Sequence, residues 1–203
     1  MKTIKKITIY ATTLLLTLSL TITAQSKKID AAKSTISWVG KKVTGQHSGT
    51  LTVKEGTLLF KKSKLAGGTI NVDMSTVAVT DLKSGEGKED LEGHLKADDF
   101  FGVTKYPVAK IIFKKIADKK NGIYNVTADL TIKGITNPIN FDLATTTQSA
   151  STALKIDRTK YGIKYTHLSY FMSFSLYIII YNGLKINLCI VIFFLQKYSL
   201  LPF

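Results

Sequence analysis

The sequence predicts an all-β antiparallel domain, a sandwich or a barrel, on three observations. Residues 123–133 alternate strictly, with Tyr124, Val126, Ala128, Leu130 and Ile132 apolar and Asn125, Thr127, Asp129, Thr131 and Lys133 polar. Alternation of that length marks a strand with one dry and one wet face. The same period of two returns in several shorter runs, and turn residues separate the runs at roughly the dozen-residue spacing of small β domains.

The elements follow in order. Residues 1–24 read as a secretory signal. Lys2, Lys5 and Lys6 form a basic start, residues 7–22 carry no charge, and Thr23-Ala24 precedes Gln25. The apolar run is shorter than a membrane span, and the small Ala24 marks a cut. An uncleaved anchor is the alternative. With no Cys near the cut, a lipoprotein anchor is excluded. The expected location is the periplasm or the exterior of the cell.

Residues 25–165 form the single predicted domain. Weak alternation at 35–39 and clear alternation at 51–54 open it, with another weak run at 57–60. Ile70, Val72 and Met74 alternate with Asn71 and Asp73. Residues 81–101 differ: they are polar, contain Gly85, Gly87 and Gly93, and place Leu91 and Leu95 four apart. That spacing predicts a short helix over 88–96 inside a long connection crossing one end of the sheet. A weak run at 108–116 and the strong strand at 123–133 follow. After Gly134 and an Asn137-Pro138 turn signal, Ile139, Phe141 and Leu143 resume the alternation, so these runs read as a hairpin.

Beyond residue 165 the composition changes. Residues 166–203 hold only Lys185 and Lys197 as charges and show no period of two or of 3.6. The uncharged runs 165–184 and 186–196 suggest a membrane hairpin, though the second is too short to span. The alternative is a replaced or out-of-frame tail.

Composition excludes several classes. One Cys rules out a disulfide framework and a multi-thiolate metal site, and His47, His94 and His167 are scattered. The formal net charge of +14 suggests nucleic acid, but Arg158 is the only arginine among 28 basic residues. Base readout and phosphate clamping favour the planar fork of Arg, so the charge reads as a solvated basic surface. No catalytic constellation stands out. Ser48 beside His47 is no triad signature, and Gly85-Glu86-Gly87 is too acidic for a phosphate cradle. Asp98-Asp99 reads as exposed acids at a helix or turn end, and His94 as a histidine bonded to loop backbone. No metal site and no enzyme activity are expected.

Several stretches resemble the YceI-like, polyisoprenoid-binding family of secreted bacterial proteins. They are Ser34-Thr35-Ile36-Ser37-Trp38, Gly45-Gln46-His47-Ser48-Gly49-Thr50, His94-Leu95-Lys96-Ala97-Asp98-Asp99-Phe100-Phe101 and Lys105-Tyr106-Pro107-Val108-Ala109. Leu130-Thr131-Ile132-Lys133-Gly134-Ile135-Thr136 and Asp157-Arg158-Thr159-Lys160-Tyr161-Gly162-Ile163 complete the set. The resemblance implies an extended, lipocalin-like antiparallel barrel of about eight strands. It also implies an apolar pore holding a long isoprenoid-type lipid, a carrier or binding role, and no catalysis. Candidate pore-lining residues are Trp38, Val53, Phe60, Val72, Met74, Phe101, Phe113, Val126, Leu130, Ile132 and Phe141. The stretch 93–99 would form a lid. The bound lipid is the only ligand implied, with no cofactor and no nucleic-acid partner. Membrane contact would run through 166–203, and the oligomeric state stays open. The tail resembles nothing in the family, so the final strand is expected to be missing and the barrel open. A membrane-tethered structural or adhesive domain without ligand is the competing function.

Overall fold

A computed structural model describes residues 24–42, 45–163 and 173–181. The signal-peptide reading falls on residues outside these, as does most of the tail.

Among the described residues, nine strands form one antiparallel sheet. They are β1 (Gln25–Lys28), β2 (Thr35–Lys42), β3 (Gly45–Lys61), β4 (Lys64–Val79), β5 (Val108–Asp118), β6 (Ile123–Ile132), β7 (Ile135–Thr145), β8 (Ser149–Ile156) and β9 (Ser173–Tyr181). The helix α1 (Lys88–Lys96) and a 3-10 turn (Arg158–Tyr161) are the other elements. Each strand from β2 to β9 pairs with the next, and β9 pairs back to β2, so eight strands curl into a ring. β1 adds to the far half of β3.

β9 corrects the expectation of a missing final strand. Residues 173–181 lie between β2 and β8 and pair with both. The segment lacks alternation because it is almost uniformly apolar, yet its backbone supplies the two ladders that closure requires. Residues 173–181 of the run that suggested a membrane hairpin form a strand, and the rest of that run lies outside the described residues. No helix among the described residues is long and apolar enough to cross a membrane.

The predicted strands emerge with changed limits. Residues 51–54 and 57–60 belong to the single strand β3, whose register against β4 shifts between Val53 and Glu55. That bulge broke the sequence period. The expected turn at Asn137-Pro138 is instead inside β7, and Lys133-Gly134 makes the hairpin turn with φ of 51° and 74°. Positive φ at both positions is the geometry of a tight two-residue hairpin. Pro138 is tolerated because β7 pairs with β8 only at Ala144–Ser151 and Thr145–Ala150. Below those pairs no strand among the described residues lies on that side of β7 to receive an N–H. This is the seam of the barrel, and the 3-10 turn lies across it, with Asn137 Nδ2 donating to the Lys160 carbonyl at 2.9 Å.

Inward residues build one core. Along β6, Tyr124, Val126, Ala128, Leu130 and Ile132 are all buried, as the alternation requires. α1 packs Leu95, 1% exposed, onto this core. Glu92 Oε1 accepts from the Val79 amide at 2.8 Å, and Lys133 Nζ donates to the Asp98 carbonyl at 2.6 Å. These bonds hold the connection over one end of the barrel, where the sequence placed a lid.

Candidate functional site

The barrel interior is packed at one end and hollow at the other. At the packed end, near the β3–β4, β5–β6 and β7–β8 turns, Phe113 and Phe141 meet edge to face with centroids 5.9 Å apart. Leu58, Tyr124 and Leu143 are buried there too. Gly68 leaves room for this cluster, since a Cβ on it would stand 2.8 Å from the Phe113 ring and 2.9 Å from Leu58.

The other end, under α1, holds an apolar cavity of about 50 Å³. That is room for a few water molecules. β2 and β3 contribute Trp38 and Leu51, and β4 contributes Val72 and Met74. Ala109 and Ile111 come from β5, and Leu130 and Ile132 from β6. Phe101 comes from the connection after α1, Ile156 from β8, and Arg158, Tyr161 and Ile163 from the chain that follows. Trp38 lies flat against β3 because its neighbour is Gly49, where a Cβ would stand 2.5 Å from the indole and 1.8 Å from the Ala78 carbonyl.

Of the candidate pore-lining residues, Trp38, Val72, Met74, Phe101, Leu130 and Ile132 come together around this cavity. Val53, Phe113, Val126 and Phe141 are buried in the core but do not line it. Phe60 sits apart, half-buried on the far half of β3, with Lys27 Nζ 5.1 Å from its ring centre. Sequence reasoning did not select Leu51, Ala109, Ile111, Ile156, Arg158, Tyr161 or Ile163. Leu51 carried the right signal, since it lies on the alternating face of its run. Arg158 and Tyr161 carried none, because a 3-10 turn rather than a strand period places them.

That turn is well built. The Asp157 carboxylate accepts from the Thr159 amide at 3.0 Å and from its hydroxyl at 2.6 Å, capping the first turn. The Thr159 hydroxyl bond, then the amide bond and nearby cations, hold the Asp157 carboxyl below its ordinary value. Arg158 is 6% exposed, and its Nη1 donates to the Ile163 carbonyl at 2.8 Å. Burial pushes its guanidinium down, with Asp157 pulling it back up. Burial also raises the Tyr161 phenol, which is 2% exposed, so it keeps its proton at neutral pH.

The polar pairs elsewhere tie segments together. His47 Nδ1 lies 3.0 Å from Asp81 Oδ2, and the Ser48 amide donates to Asp81 Oδ1 at 2.9 Å. They join the start of β3 to the chain leaving β4. His94 stands 3.9 Å from Asp99 and packs edge-on against Phe100. Among the described residues, no three His, Cys, Asp or Glu side chains gather to hold a metal.

A curled antiparallel barrel with an apolar cavity at one end defines the class: a small β-barrel protein with a dry interior. The chain belongs to the YceI-like domain family, whose model matches residues 28–191. The match runs past residue 165 and includes β9. A UPF0312 protein of Shewanella denitrificans is 33% identical over 85 residues, 42% of this chain and 42% of the relative. Protein YceI of Shigella flexneri is 33% identical over 95 residues, 46% of each. The alignments thus span under half the length of these relatives. The crystal structure of BcnA from Burkholderia cenocepacia superposes with a TM-score of 0.56 at 20% identity, covering 74% of this chain and 98% of that one. It shares the fold. Membership of the family supports a non-catalytic β-barrel protein.

Proposed function

We propose that the protein binds or carries a long apolar chain, an isoprenoid-type or other long-chain lipid, in the cell envelope without catalysis. The observation that carries this reading is the cavity under α1, whose wall is aliphatic and aromatic from six strands. Such a surface gains about 25 cal/mol for each Å² of apolar ligand area it removes from water. The resemblance of the sequence to polyisoprenoid-binding proteins points the same way, and the signal-like N-terminus suits an envelope location. A cavity of about 50 Å³ is only the start of a lipid site. Accommodating a whole chain requires the wall to part, and the seam between β7 and β8 is where the fewest backbone bonds resist.

Native mass spectrometry of the full chain incubated with geranylgeraniol tests the reading. The expected spectrum shows one bound isoprenoid, lost when Ala109→Leu fills the cavity. A ligand-free spectrum for the unaltered protein overturns it. The small cavity volume favours a second reading, a structural or adhesive domain packed with its own side chains, and that same ligand-free spectrum supports it.

A further inference from the structure

We infer that the packed end of the barrel docks on an anionic lipid bilayer through the lysines around its turns, and so holds the cavity end away from that membrane. The inference does not depend on what the cavity binds.

Charge is spread unevenly along the barrel axis. β1 and the stretches 61–64, 115–122 and 142–149 form the rim of the packed end, and they hold eight lysines and two acids, Asp118 and Asp142. Both acids are engaged within the rim. Asp118 Oδ2 lies 2.8 Å from Lys64 Nζ, and Asp142 Oδ1 accepts from Lys119 Nζ at 2.8 Å. Lys61, Lys62, Lys115 and Lys120 have no carboxylate partner among the described residues, nor do the two lysines of β1. The connection over the cavity end, residues 81–105, has the opposite balance, with seven acids against four lysines. A positive pole thus faces away from the cavity.

The turns carry lysine to their tips at a conformational cost. Lys62 has a φ of 51° and Lys120 a φ of 71°. Left-handed backbone suits Asn or Gly, and a lysine there weakens the turn. Lys133 also has a φ of 51°, at the cavity end, but its Nζ donates to the Asp98 carbonyl. The ammonium groups of Lys62 and Lys120 make no such bond among the described residues. An external anionic surface gives them the partner that the fold does not.

Two observations select a bilayer over a soluble polyanion. Leu59 and Ile123 stand exposed at this end, two residues before Lys61 and three after Lys120. Lysines interspersed with exposed aliphatic side chains suit a membrane interface, where hydrocarbon sinks below the headgroups and ammonium groups stay among the phosphates. The chain also enters and leaves the barrel here. Gln25 pairs with Phe60, and Tyr181, the last residue of β9, pairs with Ser149. Beyond Tyr181 the sequence 182–203 carries only Lys185 and Lys197 as charges. Apolar sequence continuing from a lysine-ringed rim fits a lipid surface and has no use on a nucleic acid.

The test is co-sedimentation of the full chain with vesicles of phosphatidylcholine alone, or of two parts phosphatidylcholine to one part phosphatidylglycerol. At physiological salt the expected affinity is at least about tenfold higher for the anionic vesicles, and the preference shrinks as salt is raised. The triple variant Lys61→Gln, Lys62→Gln, Lys120→Gln weakens anionic-vesicle binding by roughly 100-fold, about fivefold for each lysine. Lys83→Gln, Lys105→Gln, Lys160→Gln removes the same charge from the cavity end and changes binding by less than about twofold, because those groups lie beyond the reach of the surface field. Orientation is read with brominated phospholipid. Leu59→Trp adds emission that the bromine quenches, whereas Ile135→Trp, exposed at the cavity end, adds emission that escapes. Equal affinity for the two kinds of vesicle overturns the inference, and because that comparison is made on the unaltered protein, misfolding of a variant does not rescue it. Equal weakening by the two triple variants overturns the role of the packed end, as does equal or reversed quenching of the two tryptophans. Binding of duplex DNA without binding of anionic vesicles overturns the bilayer as the partner. Each of these failures leaves the lipid-carrying reading standing, since none of them tests the cavity.

Discussion

The two ends of the barrel are made from the same strands and differ in what fills them. At the packed end two phenylalanines, Phe113 and Phe141, cross at 70° and fill the lumen, and Gly68 withdraws to admit them. At the cavity end the same strands turn smaller or more flexible residues inward: Met74 on β4, Ala109 on β5, Leu130 on β6. The seam lies on that side, bridged by a 3-10 turn instead of a ladder. A barrel thus divides labour along its axis, one end supplying stability and the other tolerating a gap.

Four measurements break or sharpen this contrast. The largest effect is expected from truncation. Phe141→Ala should cost about 3–5 kcal/mol in chemical denaturation, whereas Met74→Ala should fall near the low end of its class, about 2 kcal/mol, because the space beside it is already empty. Equal costs at the two positions would mean the ends are packed alike. Next comes overfilling. Gly68→Val should destabilise by roughly 1–3 kcal/mol, read as a lower melting temperature, because Phe113 and Leu58 have nowhere to go. A neutral Gly68→Val would show the packed end to be looser than its geometry. Ala109→Leu should do the reverse at the cavity end, gaining about 0.5–1 kcal/mol while abolishing lipid uptake. Loss of stability together with uptake would reveal a strained wall rather than a filled one.

The smallest effect is electrostatic. Asp118 is held low first by its bond to Lys64, Asp142 first by Asn125 and then by Lys119, and Asp157 first by the Thr159 hydroxyl. A carboxyl whose folded pKa lies below the unfolded value stabilises the fold above that unfolded value, near 3.8, and loses the contribution as pH falls through the folded one. Stability should therefore be flat from pH 7 to about 5 and decline below about 4. Asp157→Ala should remove the cap at the cavity end, costing about 1 kcal/mol, and flatten part of that decline. An unchanged pH profile would show that the cap contributes nothing.

Much of this architecture was legible in the sequence where side chains alone decide it. β6 announces itself because one face is buried at every second residue, and β7 because Phe141 and Leu143 bury the same face over its second half. The helix over 88–96 follows from Leu91 and Leu95. Features set by backbone geometry were hidden. The bulge after Val53 split β3 into two apparent strands. β8 turns Ala150, Leu154 and Ile156 inward with Thr152 between them, a pattern too weak in hydrophobicity to register. β9 hides for the opposite reason, as its residues 178–180 are all isoleucine. Pro138 did carry information, but about an unpaired strand side rather than a turn. At the site, alternation found the strand-borne lining residues and missed Arg158, whose position depends on a turn that no period describes.

The ring β2 to β9 has a further consequence, for folding in time. Seven of its ladders join strands adjacent in sequence, and all of these but β4–β5 and β8–β9 are local hairpins. The eighth joins residue 35 to residue 179, across nearly the whole domain. That contact carries the largest loop-closure entropy and comes last, which makes such topologies slow folders. Until β9 docks, the edges of β2 and β8 stay open side by side, each a template for a strand from another chain. Refolding yield should therefore fall with protein concentration, and a peptide matching residues 173–181 should capture the unfinished ring.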